Sequence, residues 1–94
     1  MRTLVWSAAF VRAFRRAVRR QPQLRARVER TLQQLTEDPF HPILRSHKLQ
    51  GELAGTWACT VDYGNRILFE FVQNPESGEE EILLLTMGTH DEVY

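Results

Sequence analysis

The last seven residues, Gly88-Thr89-His90-Asp91-Glu92-Val93-Tyr94, come just after Leu83-Leu84-Leu85, which reads as the middle of a buried strand. A glycine break, a histidine and a final aromatic at the end of a sheet are the residue types of a site. An unperturbed imidazole has a pKa of about 6.5, so His90 can give and take a proton near neutral pH. Tyr94 brings a flat ring that stacks and a hydroxyl that hydrogen-bonds. His47 lies in a loop between Ser46 and Lys48, and Arg66 opens a strand just after turn residues. A structural use of the same residues stands beside this one. His90 then satisfies backbone groups in a turn, Tyr94 packs back on the sheet, and Arg66 pairs with Asp62 or Glu70, which by pattern alone is the readier reading. His41, between Phe40 and Pro42, reads as a loop residue without a role.

Ninety-four residues make a single domain, 1–94, with one core. The apolar fraction of 43% and nine aromatics argue against disorder. The lone Cys59 excludes an internal disulfide framework and fits a reducing compartment. Three histidines and one cysteine, none at ligand spacing, speak against a structural metal site. No signal-peptide pattern and no 18-residue apolar run occur, so a cytoplasmic chain without membrane or cofactor is expected. The zero net charge conceals an asymmetry. Residues 1–50 hold 11 of the 12 Lys and Arg against three acids, whereas residues 51–94 hold Arg66 against nine. Such a split suggests a polyanion partner for the basic half. Arginine-rich helix faces can equally be plain solvated surface, but arginine forks chelate phosphate in a bidentate manner.

The elements that must position these residues follow from periodicity. Thr3-Leu4-Val5-Trp6 reads as a short strand and Ser7 as the N-cap of a helix. Phe10, Ala13, Phe14, Ala17 and Val18 make one apolar stripe, with Arg12, Arg15, Arg16, Arg19 and Arg20 mostly off it. Gln21-Pro22 ends that helix, and Pro22 suits the first turn of the next. Leu24, Val28, Leu32 and Leu35 form a second stripe that Asp38-Pro39 terminates. Residues 38–55 read as loop. Residues 56–62 alternate, with Trp57, Cys59 and Val61 on one face. Tyr63-Gly64-Asn65 is turn chemistry leading into a strand over 66–72, and residues 74–78 form a second turn before a strand over 80–87. The order implies an α+β domain: an N-terminal strand, an αα-hairpin, then a three-stranded antiparallel meander, with both helices on one face of the sheet. Trp6, Trp57 and Phe69 are expected in the core, and Cys59 is expected to be a small buried hydrophobe.

The segments His47-Lys48-Leu49-Gln50-Gly51, Gly55-Thr56-Trp57, Arg66-Ile67-Leu68-Phe69 and Gly88-Thr89-His90 with a final aromatic resemble the RelE/ParE superfamily. These are small toxins of bacterial type II toxin–antitoxin pairs, and the nearest likeness is to the YafQ-like branch of RelE/StbE toxins. The resemblance implies a metal-independent mRNA endonuclease acting on the ribosome and held inactive by a cognate antitoxin protein, with no cofactor. Such cleavage needs a base for the 2′-hydroxyl, an acid for the departing 5′-oxygen and positive charge on the phosphate. On this resemblance His47 and His90 are the proton-transfer pair, Arg66 the phosphate clamp and Tyr94 a stacking or hydrogen-bonding residue. Arg45 and Lys48 flank His47, and together with Arg12, Arg16 and Arg19 they are the expected RNA-binding groups. The sequence also departs from the pattern. Relatives carry a second histidine where this chain has Thr60, an acid near Gly64 and Asn65, and an arginine at Thr86. Two alternatives follow: a ParE-like inhibitor of DNA gyrase, against which the histidine pair argues, and a degenerate toxin that binds antitoxin without cutting RNA.

Overall fold

The structure, a computed structural model, describes residues 1–94. Five strands and three helices follow one another: β1 (Thr3–Trp6), α1 (Ala8–Arg20), α2 (Leu24–Glu37), β2 (His47–Lys48), β3 (Trp57–Asp62), β4 (Asn65–Gln73), β5 (Glu80–Gly88) and α3 (His90–Val93). Ser7 caps α1 as expected, its hydroxyl accepting from the Phe10 N–H at 3.0 Å. The α1 stripe buries Phe10, Ala13 and Phe14, and the α2 stripe buries Leu24, Val28, Thr31, Leu32 and Leu35. Pro22 does not sit in the first turn of α2. It belongs to the connecting turn, where its carbonyl accepts from the Arg25 N–H at 3.3 Å, and α2 begins after Gln23.

The sheet order is β1-β5-β4-β3-β2. Strands β3, β4 and β5 form the expected antiparallel meander. β1 joins its outer edge parallel to β5, with Leu4 opposite Ile82 and Trp6 opposite Leu84. A parallel neighbour needs a long crossover, and the αα-hairpin supplies the first part of it. Residues 38–55 are not a plain loop. They contain two 3₁₀ turns, Pro42–Leu44 and Gly51–Leu53, and between them the two-residue strand β2. There His47 pairs with Ala58 and Lys48 with Trp57. His41 also has a structural use, since its Nδ1 accepts from the Ile43 N–H at 3.1 Å at the start of the first 3₁₀ turn.

The core lies between the two long helices and one sheet face. It joins Phe10 and Phe14 to Val28, Leu32 and Leu35, and these to Cys59, Ile67, Phe69, Ile82, Leu84 and Met87. Phe69 is fully buried. Trp57 packs against the core only in part. Trp6 stays at the rim, 43% exposed, with its ring edge-on to Phe10 and Phe14. No helix is long and apolar enough to cross a membrane.

Cys59 is buried in the sheet, and burial pushes its thiol up to about 12 against the opposing pull of the Ile67 backbone and the Arg66 charge. Only the thiolate is a nucleophile. A thiol-specific reagent at about pH 8 is therefore expected to label Cys59 only as fast as the protein opens, with the rate climbing through a urea titration. Prompt labelling of the native protein would contradict this placement.

Candidate functional site

Strand alternation assigns each candidate to a face. Ile67 and Phe69 of β4 enter the core, so Arg66 and Leu68 point to the face opposite the helices. Cross-strand partners share a face. His47, Ala58, Leu68 and Thr86 therefore form one row across four strands, and Thr60, Arg66 and Gly88 form the next. Thr60 and Thr86 thus lie on the same face as His47 and Arg66. Lys48 goes the other way with Trp57, its Nζ 5.9 Å from the ring centroid. The sheet thereby separates Lys48 from His47, although the two are adjacent in sequence.

His47 is exposed, and its Nδ1 lies 3.1 Å from the Arg45 carbonyl. A carbonyl only accepts, so Nδ1 carries the proton in the neutral ring and Nε2 keeps a free lone pair. The neighbouring Arg45 ends the first 3₁₀ turn in the left-handed region, at φ 48° and ψ 41°. That conformation is uncommon for a residue with a Cβ and turns the chain into β2.

Arg66 does not form the carboxylate pair that its charge pattern suggests. Its Nη1 donates to the carbonyls of Asp62, Tyr63 and Asn65 at 2.8, 3.1 and 3.1 Å, gripping the β3–β4 turn. The Asp62 carboxylate is occupied by the Gly64 N–H and the Asn65 side chain. Nε and Nη2 of Arg66 remain for an anion.

The C-terminal segment is a single ordered helical turn. The Thr89 hydroxyl accepts from the Glu92 N–H, and the Glu92 carboxylate accepts from the Thr89 N–H at 2.9 Å, which is a complete capping box. His90 and Tyr94, four residues apart, face each other edge to face with centroids 4.5 Å apart. Burial raises the Tyr94 hydroxyl pKa, while the nearby Arg66 charge lowers it, so the phenol lies within the field of the guanidinium. The turn rests on Gly88. A Cβ there would come within 3.0 Å of Glu92 Oε1 and 3.1 Å of Glu92 Cβ.

Tyr94 thus lies within reach of the Arg66 charge, and His90 lies against Tyr94. His47 stands apart from them, with no hydrogen bond or ion pair to any of the three. It lies two strands and two residues from Arg66, roughly 12 Å between Cα atoms at ordinary sheet spacings. Across the sheet, Arg66 on β4 lies between β5, which leads to His90, and β2, which holds His47. No group of three or more His, Cys, Asp or Glu side chains is arranged to hold a metal ion.

Arg12, Arg16 and Arg19 are all exposed on α1, but only Arg16 reaches the C-terminal turn. With Arg20, one helical turn further on, it lines a cavity of about 480 Å³ bounded by Asn65, Thr86, Thr89 and Glu92. Neither Arg20 nor Glu92 was expected in this contact from the sequence. The spacing Thr89-x-x-Glu92 is a capping signature that would have found the second. Of the lysine and arginine residues, only Arg2 and Arg20 meet a carboxylate within 4.0 Å, so the helix arginines form a largely unneutralised surface.

No family model matches the chain. Two curated proteins do, the toxin YoeB of Mycobacterium bovis and the toxin RelK of Mycobacterium tuberculosis. Each is 30% identical over 64 residues, which cover 68% of this chain and 68% of the relative. Among solved structures, the DinJ–YafQ complex from E. coli contains a chain that superposes with a TM-score of 0.78. The match covers 100% of this chain and 99% of that one at 14% identity, and so shares the fold. The likeness in sequence to two named toxins and the shared fold together assign the chain: it belongs to the RelE/ParE-like toxin superfamily.

Proposed function

We propose that the protein is the toxin of a type II toxin–antitoxin pair, a metal-independent endoribonuclease that cuts mRNA on the ribosome and is neutralised by a cognate antitoxin. The observation that carries this reading is the place of Arg66 on β4, on the same sheet face as His47 of β2 and beside β5, which leads into the turn where His90 and Tyr94 meet. A phosphate on Nε and Nη2 of Arg66 has one histidine to either side. The free Nε2 of His47 takes the proton of the 2′-hydroxyl, and that oxygen attacks the adjacent phosphorus. The bond from phosphorus to the 5′-oxygen breaks, and His90 as imidazolium protonates the leaving oxygen. The products are a 2′,3′-cyclic phosphate and a 5′-hydroxyl. His90 Nδ1 lies 3.7 Å from the Asp91 carboxylate. The Arg66 guanidinium stabilises charge developing on phosphate, and the Tyr94 ring stacks on a base, worth about 1–3 kcal/mol. The arginines of α1, with Arg45 and Lys48, supply salt-sensitive contacts to RNA phosphates.

The His-x-Leu-x-Gly segment at His47 and the Gly88-Thr89-His90 ending support the YafQ-like branch. The DinJ–YafQ complex, with its chain of the same fold, supports an antitoxin partner. Inducing this chain alone in a bacterial host is expected to stop growth, with incorporation of labelled amino acids falling before DNA synthesis does. Co-expression of the antitoxin restores both. Accumulated gyrase–DNA breaks with intact mRNA would instead indicate a ParE-like inhibitor. Normal growth with intact mRNA would indicate a degenerate toxin.

A further inference from the structure

We propose that Arg20 and Glu92 form a clamp that docks the C-terminal turn on α1 and sets the place of His90 and Tyr94, making both of them positioning residues for RNA cleavage. The inference rests on the reading of His90 and Tyr94 given above.

A helix of four residues has no stability of its own, because nucleation costs more than one turn of hydrogen bonds returns. Something must therefore hold α3. Glu92 does so with both carboxylate oxygens: Oε1 accepts from the Thr89 N–H at 2.9 Å, and Oε2 meets Arg20 Nη2 at 3.5 Å. The first contact closes the turn on itself, and the second ties it to the last turn of α1. Gly88 allows the close approach, since any side chain there would meet Glu92 and Val93. His90 and Tyr94 project together, four residues apart, and their rings touch each other. The Thr89 N–H first and Arg20 in addition hold the Glu92 carboxyl below the usual range, so it stays charged at neutral pH. An exposed ion pair adds little to global stability. Its loss should therefore appear in local order and turnover, while the thermal midpoint stays in place.

The test compares Arg20→Ala, Glu92→Gln, Glu92→Ala and Arg20→Ala/Glu92→Ala with wild type, using ribosomes programmed with a defined mRNA. Glu92→Ala is expected to lower kcat by about tenfold to a hundredfold, the scale of an ångström-level misplacement, with KM near wild type. Glu92→Gln still accepts from Thr89, so it should lose less and match Arg20→Ala. The double variant should be no worse than Glu92→Ala. A direct phosphate contact by Arg20 would instead raise KM and overturn the clamp. In the free proteins, amide exchange at Thr89 and the nuclear Overhauser contact between the His90 and Tyr94 rings report the turn itself. Both should be weakened in Arg20→Ala and lost in Glu92→Ala. Retention of both signals, or wild-type kcat in Arg20→Ala and Glu92→Ala alike, would overturn the proposal. Should Glu92→Ala unfold, Arg20→Ala and Glu92→Gln decide it. A His90→Ala control separates the two ideas. If His90→Ala cuts normally the catalytic assignment of His90 fails, and the exchange and ring-contact data still decide the clamp. If His90→Ala is inactive while the clamp variants are wild type, the clamp alone fails.

Discussion

His90→Ala is expected to lose RNA cleavage by a factor on the order of 10²–10⁴, the usual contribution of one positioned proton-transfer group, while the fold persists. The persistence follows from the surroundings of the residue. His90 is exposed, its ring lies edge to face with Tyr94, and the carboxylate beside it is the fully exposed Asp91 at 3.7 Å. Alanine is a good helix former, and the capping box between Thr89 and Glu92 uses neither His90 ring nitrogen. The thermal midpoint should therefore move little. A large drop in midpoint would show that the histidine is structural, and full activity with an unchanged midpoint would remove it from the chemistry.

Phe69→Ala should act in the opposite sense, on stability first. Phe69 is fully buried in the middle strand of the meander, opposite Trp57 on β3 and Leu84 on β5. Its ring lies edge-on to Phe71 at 5.5 Å. Truncation removes the transfer energy of the ring and leaves a cavity in a sheet that cannot collapse to fill it, a cost of about 3–5 kcal/mol. A domain of this size has a total stability of about 5–15 kcal/mol. Urea unfolding should thus show a much lower midpoint with little change in slope. A loss under about 1 kcal/mol would mean that the site relaxes far more than close-packed interiors normally do.

Much of the scaffold was legible because its signals are periodic. The α1 and α2 stripes, the Ser7 cap and the alternation of Trp57, Cys59 and Val61 each repeat or cap a pattern, and each appears in the structure. β2 carries no such signal. Two residues cannot show a period, and His47 and Lys48 become a strand only because β3 offers an edge to pair with. The parallel placement of β1 beside β5 was likewise unreadable, since strand order along the chain fixes neither neighbour nor direction. Arg66 shows the limit of charge patterns. Asp62 lies four residues away with the right sign, yet the guanidinium takes its carbonyl while turn amides take its carboxylate. Tight turns present backbone acceptors in a cluster, and arginine satisfies several at once. Arg20 was hidden among five similar arginines, and only the approach of Glu92 from the other end of the chain singles it out.

The account stands most directly on one measurement: primer extension on a defined mRNA translated by purified ribosomes, with the wild-type chain and His90→Ala side by side. The prediction is new 5′-hydroxyl ends with the wild-type protein, dependent on ribosomes and absent with His90→Ala. Intact mRNA with the folded wild-type protein, or the same ends at the same rate with His90→Ala, would contradict it.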